Sequence, residues 1–184
     1  MHLIELKEAK KYYCPQSFTL KIEAKDFILI SGENGKGKTT LLELILGFKK
    51  PDKGMVNKKK LKIGYLPEIM MLPPLIKVSD YLETLAKVKK DKISEEMIHL
   101  FNIPLFKYIY QLSKGNQQKL GIITTFIGKP DLIILDEPLS GLDTNSMLDL
   151  KAYLKKKKEE GLSIIVSTHK PELFNDLANK VLCL

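Results

Sequence analysis

One segment constrains this chain more than any other: Gly32–Thr40, GENGKGKTT, fits the pattern G-x-x-x-x-G-K-[ST] in full. It follows Phe27–Ser31, FILIS, a continuous apolar run typical of a strand buried on both faces. A helix is predicted directly after it, over TTLLELILGF, and Gly47 and Pro51 are expected to end that helix. Glycines in such a loop let the backbone wrap around phosphate groups, so the amide N–H groups and the helix N-terminus face the anion.

Strands and helices are predicted to alternate along the rest of the chain. The strand patterns are HLIELKE, SFTLKI, KLKIGYL, PDLIILDEP and LSIIVSTH. The helix patterns are VSDYLETLAKVKK, SEEMIHLFNI, a run from the QLSKGNQQKLG segment to about Gly128, NSMLDLKAYLKKKKEE and the short PELFNDLA, while DKG at 52–54 is expected to form a turn. This alternation predicts an α/β domain with a largely parallel sheet.

We expect a single domain over residues 1–184. Its core, about 1–67 and 129–184, should combine the largely parallel sheet with an N-terminal antiparallel β part. Residues of about 69–128 are expected to form a small helical subdomain.

Composition limits the classes of partner. The chain of 184 residues has a net charge of +8, and every basic residue is a lysine. The lysine clusters lack interleaved aromatic residues that could stack on bases, which argues against a nucleic-acid partner. An anionic membrane surface fits the charge equally well. No apolar run approaches the roughly 18 residues of a membrane span, and the N-terminus lacks an apolar signal region, so a cytoplasmic protein is expected.

The cysteines carry little functional information. Cys14 and Cys183 lie far apart in the sequence and show no spacing typical of metal ligands. Two ordinary thiols are therefore expected, in preference to a disulfide or a ligand pair.

Two acidic residues, Asp136 and Glu137, come directly after the apolar run LIIL. The carboxyl ends of parallel strands form the edge of the sheet at which ligands bind. Asp136 is predicted to bind Mg²⁺ and Glu137 to act as a general base for water. Lys38 would reach the β- and γ-phosphates, and the Thr39 hydroxyl would hold Mg²⁺. The alternative is an acidic pair with no function beyond ending a strand.

His169 follows the third buried strand, in the sequence STH. If that strand is parallel to the others, His169 lies at the same edge and can approach the γ-phosphate. A lone histidine is more often structural, which is the alternative here.

Together these motifs resemble the ATP-binding cassette (ABC) ATPases over nearly the whole chain, in the order typical of that family. The resemblance implies a P-loop NTPase fold and Mg²⁺-dependent ATP hydrolysis, with Lys38, Glu137 and His169 as catalytic residues. LIILDEP resembles the Walker B motif, and Ser140–Asp143, SGLD, resembles the D-loop. GENGKGKTT resembles the Walker A motif, and its nucleotide-binding residues would be Gly32, Glu33, Asn34, Gly35, Lys36, Gly37, Lys38, Thr39 and Thr40.

The segment LSKGNQQ, residues 112–118, resembles the family's signature L-S-G-G-Q. Ser113 and Gly115 match it, whereas Asn116 replaces a Gln and Lys114 replaces a Gly without an evident reason. In the family, each ATP lies between the Walker A motif of one cassette and the signature of another. The resemblance therefore implies that Ser113, Gly115 and Asn116 bind the ATP of a second subunit in a head-to-tail homodimer or paired cassette.

Two further positions follow from the resemblance. Tyr12 in KKYY is aligned with the ring that stacks on adenine, with Tyr13 as the alternative, and either could instead be an ordinary surface or core aromatic. Glu68 in GYLPE stands where many members have Gln, at a position that meets Mg²⁺ and the attacking water. The sequence Tyr-Leu-Pro-Glu is similar to the one that export-type members of the family often show.

The segment IMMLPPLI, residues 69–76, is apolar, and its prolines keep it out of helices and central strands. It could belong to the core, or it could form an exposed patch that receives a cytoplasmic helix of a membrane subunit. By resemblance, this region couples the cassette to its integral membrane permease.

The sequence thus predicts an ATPase subunit of an export-type ABC transporter, peripheral on the cytoplasmic face of the cell membrane. One alternative is a soluble ABC ATPase that acts on ribosomes or DNA. Another is a regulatory cassette that binds ATP without hydrolysing it. The transported substrate is not readable, because in this family the membrane subunit determines it.

Overall fold

A computed structural model of the chain describes residues 2–33 and 35–184. The strands are β1 (His2–Lys10), β2 (Ser17–Glu23), β3 (Phe27–Ser31), β4 (Lys53–Lys58), β5 (Ile63–Leu66), β6 (Leu132–Asp136), β7 (Ser163–Thr168) and β8 (Lys180–Cys183). The helices are α1 (Lys38–Leu46), α2 (Val78–Lys89), α3 (Glu95–Phe101), α4 (Lys114–Phe126) and α5 (Thr144–Glu159), with short 3-10 helices at Ile109–Gln111 and Pro171–Leu173.

The central sheet is parallel throughout and has the strand order β5-β6-β7-β3-β8. Its central strands are continuous apolar runs because both faces are covered. Successive side chains alternate between the faces. Leu29 and Leu135 belong to one buried cluster, together with α4 and α5, while Ile30 and Ile134 belong to another, together with α1. The predicted α/β class is confirmed.

Helix α1 lies between the parallel sheet and the N-terminal antiparallel sheet, which has the order β2-β1-β4. Its apolar side chains share one buried cluster with residues of β1, β2 and β3. The helix ends, as predicted, at Gly47, which has a left-handed φ of 82° and whose N–H bonds to the carbonyls of Glu43 and Leu44. This packing fixes the loop between β3 and α1.

The turn expected at 52–54 was only partly right. Lys53 and Gly54 already belong to β4, which pairs antiparallel with β1. The strand was missed because it is a mostly exposed, lysine-rich edge strand. Gly54 has a φ of 74°, and a Cβ there would overlap the carbonyl oxygens of Lys7 and Glu8 at an irregularity of β1. Only the Pro171–Leu173 turn of the helix expected over PELFNDLA is helical.

The helices between β5 and β6 pack together against one face of the parallel sheet. Val78 and Leu82 of α2 and Met97 and Phe101 of α3 are buried in the same cluster as Leu120 of α4. Across the residues that the structure describes, no helix combines the length and apolarity required to traverse a bilayer.

Candidate functional site

The carboxyl ends of β3, β5 and β6 open into one cavity of about 260 Å³. It is lined by residues from the loop after β1, the glycine-rich loop and the ends of β5 and β6: Tyr13, Cys14, Pro15, Glu33, Gly35, Gly37, Lys38, Thr39, Thr40, Glu68, Asp136 and Glu137. The structure thus brings the predicted phosphate loop to the predicted acidic residues. A larger cavity of about 570 Å³ lies elsewhere, at residues such as Asp131, Tyr153 and Ser163, and holds none of these groups.

The glycine-rich loop leaves the start of α1 open. Gly37, the residue before the helix, has a left-handed φ of 101°, and no side chain of residues 2–33 and 35–184 caps the first turn. Those amides are therefore available to an anion. A Cβ at Gly37 would lie 2.9 Å from the sulfur of Cys14, a buried free thiol. Asn34, the remaining residue of the predicted loop, lies outside the described residues.

Lys38 is buried beneath this loop. Its Nζ donates hydrogen bonds to the carbonyl oxygens of Gly32 at 2.6 Å and Glu33 at 3.3 Å. It also lies 3.9 Å from Oε1 of Glu137. The Lys38 ammonium therefore lies between the loop and the carboxylate of Glu137, which follows β6. Its positive charge is where a bound phosphate would need it.

Asp136, at the end of β6, is buried and accepts a hydrogen bond from the Ser167 hydroxyl of β7. Burial raises the pKa of Asp136, and the negative charges of Glu68 and Glu137 raise it further, against the opposing effects of Ser167 and Lys38. A carboxylate whose ionised form is disfavoured in this way is suited to a bound cation, whose charge would offset its neighbours.

Glu137 adopts a left-handed φ of 47°, uncommon for a residue with a side chain. Its N–H bonds to the carbonyl of Ser167, and its Oε2 lies 2.8 Å from Nδ1 of His169. Oε1 is buried and has no hydrogen-bond partner among the described residues. A buried carboxylate oxygen with unused acceptor capacity is what a general base for water requires.

His169 and Glu68 lie on the open side of this arrangement. The side chain of His169 is 58% exposed, so one side of the ring meets Glu137 and the rest faces solvent. Glu68 is exposed and lines both this cavity and a second cavity of about 340 Å³ beside the start of α4. In residues 2–33 and 35–184, no group of three or more His, Cys, Asp or Glu side chains is placed to hold a metal ion without other ligands.

The two adjacent tyrosines lie in different places relative to the cavity. Tyr13 lines the cavity, whereas Tyr12 is 76% exposed and does not. The backbone N–H of Tyr12 donates a hydrogen bond to the Asp52 carboxylate, which also accepts one from Nζ of Lys11. The Nζ of Lys49 lies 5.1 Å from the ring centroid of Tyr13, close enough for a cation–π contact. The structure therefore favours Tyr13, the alternative, as the ring beside the phosphate loop.

The predicted residues of the signature segment do not line the cavity. Ser113 is exposed and caps α4, where its Oγ accepts the N–H of Asn116 at 3.2 Å. A Cβ at Gly115 would lie 2.5 Å from the carbonyl oxygen of Gly141, so the glycine allows α4 to approach the SGLD segment. The stem of Lys114 packs beside Gly141, which gives that lysine a packing contact.

The segment after Glu68 divides between core and surface. Met70, Leu72 and Ile76 pack against the main buried cluster. Ile69, Met71 and Leu75 are largely exposed, Met71 at 97%. Phe106 is also exposed, on the segment of residues 105–110 that backbone hydrogen bonds join to residues 74–79. Ile69, Met71, Leu75 and Phe106 are called the apolar patch below.

Sequence reasoning assigned no role to Ser167 or Gln118. Ser167 is a fully buried polar residue of β7 that directly follows the apolar run Ile164–Val166. Gln118 is buried on α4, and its side chain reaches the backbone at Glu137 and Pro138. The signal available in the sequence was a polar residue in an apolar run for Ser167, and a position on the core-facing side of α4 for Gln118.

The chain is similar to proteins of one family along most of its length. Residues 15–140 match the family described as ABC transporter. An uncharacterized ABC transporter ATP-binding protein of Methanocaldococcus jannaschii is 43% identical over 161 residues, 83% of this chain and 61% of the relative. One from Bacillus subtilis is 37% identical over 189 residues, covering 94% and 63%. The chain thus spans less than two thirds of these two relatives.

A further relative and two solved structures extend the comparison. The zinc import ATP-binding protein ZnuC of Rickettsia conorii is 35% identical over 176 residues, 91% of this chain and 74% of the relative. The dimeric structure of a bacterial ABC transporter cassette has a TM-score of 0.83 at 25% identity, covering 99% and 94%. A dimeric ATP-binding cassette bound to ADP and phosphate has a TM-score of 0.85 at 23% identity, with the same coverage, and supports the fold alone.

Proposed function

The chain belongs to the ABC transporter family of ATP-binding proteins, and from that premise we propose that it is the ATP-hydrolysing subunit of such a transporter. The observation that carries the proposal is the position of Glu137. Its buried Oε1 has no hydrogen-bond partner among the described residues and lies 3.9 Å from Lys38, in the cavity formed by the phosphate loop. A loop that binds phosphate beside a carboxylate that can accept a proton is the arrangement that hydrolysis of a phosphoanhydride requires.

ATP binding is assigned to the glycine-rich loop and to Tyr13. The uncapped amides at the start of α1 and the ammonium of Lys38 would hold the β- and γ-phosphates. Lys38 would then exchange its bonds to the carbonyls of Gly32 and Glu33 for phosphate oxygens. Tyr13 replaces Tyr12 as the residue proposed to stack on adenine, because Tyr13 lines the cavity.

Thr39, Asp136 and Glu68 would hold Mg²⁺ together with the phosphates. Mg²⁺ binds through one or two carboxylates and substrate oxygens, and these three side chains line the same cavity. When bound, the ion would neutralise charge that develops on the phosphates. The raised pKa of Asp136 fits this assignment, since a cation would restore the ionised form.

Glu137 would accept the proton of the attacking water, and His169 would orient the Glu137 carboxylate. The contact of 2.8 Å between Nδ1 of His169 and Oε2 of Glu137 leaves Oε1 for the water. The exposed side of His169 would contact the γ-phosphate. Lys38, near Oε1, would stabilise the charge that accumulates as the bond to the γ-phosphorus breaks.

The active unit is proposed to be a head-to-tail dimer, formed by two copies or by two paired cassettes. Ser113, Gly115 and Asn116 lie outside the cavity of their own chain, so they can meet the ATP of a second subunit. The similarity to a dimeric bacterial ABC transporter cassette supports this arrangement. Within each subunit, we propose that residues of about 69–128 form a helical subdomain on the core of about 1–67 and 129–184.

The apolar patch is proposed to receive an integral membrane permease, which would hold the subunit at the cytoplasmic membrane face. Its four side chains are exposed, and Ile69 directly follows Glu68 and lines the cavity of about 340 Å³ with it, so that movement at the patch can reach Glu68. Glu68 alone does not decide the direction of transport. It favours export, whereas a relative that shares 35% of its residues is a zinc import protein. The ribosome- or DNA-directed alternative has no comparable supporting observation.

The proposal is tested with E137Q. We expect this variant to bind ATP and Mg²⁺ as the wild type does and to lose at least about a hundredfold in turnover, because an amide cannot accept the proton. It should also accumulate as an ATP-bound dimer. Steady-state phosphate release and size-exclusion chromatography with ATP measure both effects.

E172Q is the matched control, since Glu172 is exposed on the turn after His169. It should retain wild-type turnover. Normal hydrolysis by E137Q would contradict the assigned mechanism. A wild-type protein that binds ATP without releasing phosphate above the E137Q level would instead favour the regulatory alternative.

A further inference from the structure

Gln118 is a buried amide that joins α4 to the backbone of the proposed general base. Its side chain is 5% exposed, in a part of the helix that otherwise buries apolar residues. Its Nε2 donates to the carbonyl oxygens of Glu137 at 3.3 Å and Pro138 at 3.1 Å. A buried amide with both donor hydrogens directed at one short segment is a specific arrangement, because burying it unpaired would be unfavourable.

The segment that Gln118 holds has an uncommon backbone conformation. Glu137 has a φ of 47°, a region that residues other than glycine seldom adopt. Such a conformation persists only where its surroundings determine it. The N–H of Glu137 is held by the carbonyl of Ser167 in β7, and its carbonyl receives Gln118 and the N–H of Ser140. Gln118 therefore reaches the backbone of this turn from α4, a helix outside the strands and the turn itself.

Helix α4 also begins at Ser113, the residue proposed to meet the ATP of the second subunit. Ser113 and Gln118 are five positions apart on one helix, which starts with a side-chain cap. A displacement of the start of α4 would be carried by the helix to the carbonyls at Glu137 and Pro138. Gln118 thus lies between the surface offered to a partner and the carboxylate of the chain's own site.

We propose that Gln118 is a positioning residue for Glu137, which holds the carboxylate in its active orientation and ties that orientation to the placement of α4. This inference rests on the proposed function, because it assigns Glu137 the role of general base. Gln118 does not line the cavity of the phosphate loop, so its removal should act on turnover and not on ATP binding.

The first test replaces the amide by an apolar side chain of similar size, Q118L. We expect kcat to fall about tenfold to a hundredfold with KM for ATP within about twofold of wild type, since the carboxylate is displaced and the phosphate loop is not. Q117L is the matched control. Gln117 is the preceding residue, is only partly buried, and donates to Leu112 within its own helix start, so its loss should leave kcat within about twofold.

The second test, Q118E, does not depend on the folding of Q118L. An ionised carboxylate would repel the two carbonyl oxygens, whereas a protonated carboxyl can donate to one of them. Burial beside two acceptors would raise the pKa of the introduced carboxyl. The ratio of kcat for Q118E to kcat for wild type should therefore rise as the pH is lowered from about 8 to about 5.5, while the ratio for Q117L stays constant.

These outcomes separate the inference from the proposed function. If wild type releases phosphate and Q118L retains its kcat, the positioning role is wrong and the ATPase assignment stands. A ratio for Q118E that is low but independent of pH would also overturn the positioning role, because a purely structural defect has that signature. If wild type itself shows no turnover above E137Q, the proposed function fails and the inference fails with it.

Discussion

Two helices of this molecule begin in opposite ways. Helix α1 begins after Gly37, which is left-handed and provides no side-chain cap, so the first amides are available to a ligand. Helix α4 begins after Ser113, which is extended and caps its own helix through Asn116. Both segments resemble phosphate-binding sequences, yet only the first is enclosed with a buried lysine and carboxylates in the same chain.

This difference indicates that the two helix starts bind phosphate at different stages. An uncapped helix start inside a charged cavity is complete as a phosphate site within one subunit. A helix start that is exposed to solvent, with one amide already bonded to its side-chain cap, gains an anion only when another molecule supplies one. We therefore assign nucleotide binding to α1 and completion of the active site to α4.

Of the two helix starts, the larger effect is expected at α4, with S113F. The bulky ring should block the second subunit's ATP without touching the chain's own phosphate loop, so ATP binding is retained and turnover falls at least about fiftyfold. S94A is a control for the loss of a cap, because Ser94 caps α3 in the same way through Met97. It should lower stability by about 1 kcal/mol and leave turnover unchanged. Equal turnover in S113F and wild type, measured by phosphate release, would remove α4 from the active site.

A smaller effect is expected beside α1, where Y13A and Y12A separate two neighbouring rings. Loss of the ring that lines the cavity should raise KM for ATP about fivefold, since stacking contributes on the order of 1 kcal/mol. Y12A should change KM by less than about twofold, because Tyr12 does not line the cavity. Steady-state phosphate release over a range of ATP concentrations measures both. A larger change in Y12A would restore the alignment made from sequence.

The smallest effect concerns stability without nucleotide. Because the folded state raises the pKa of Asp136 above the ordinary value of 3.8, it holds that proton more tightly than the unfolded chain does. The resulting stability is present below pH 3.8 and is lost as the pH rises through the raised pKa. D136N should therefore raise Tm at pH 7 by roughly 3 °C relative to wild type, and the gain should shrink towards pH 4.

Thermal unfolding across pH measures the effect, with D149N on α5 as the control. A D136N protein that is less stable than wild type at pH 7 would show that Asp136 is not strained by its neighbours. Addition of Mg²⁺ and ATP should reverse the order, since only wild type has the carboxylate that the cation needs.

Sequence patterns predicted the parts of the fold that depend on local order. The apolar runs at Phe27–Ser31 and Leu132–Asp136 identified the central strands, and Gly47 marked the end of α1. The sequence patterns did not predict β4. This strand is an exposed edge strand and contains a glycine beside the irregularity of β1, so its sequence resembles a turn. The packing of α4 against the SGLD segment could not be predicted from the sequence.

The candidate site shows the same limit. The loop was recognisable because phosphate binding fixes the spacing of its glycines, lysine and threonine. The acidic pair was recognisable because it directly follows an apolar run. Tyr12 and Tyr13 could not be separated, since which of two adjacent rings meets the cavity depends on how the backbone leaves β1. Gln118 and Ser167 were missed because their partners lie 20 and 31 positions away, at contacts made only by the folded chain.

The central claim is that each active site combines the phosphate loop of one subunit with the start of α4 of another. The most direct measurement mixes two variants, K38A and S113F, each inactive alone, and follows phosphate release. In a mixed dimer, one site has an intact Lys38 from the S113F subunit and an intact Ser113 from the K38A subunit. Random pairing should therefore restore turnover to about a quarter of wild type. A mixture that stays at the sum of the two separate variants would contradict the account.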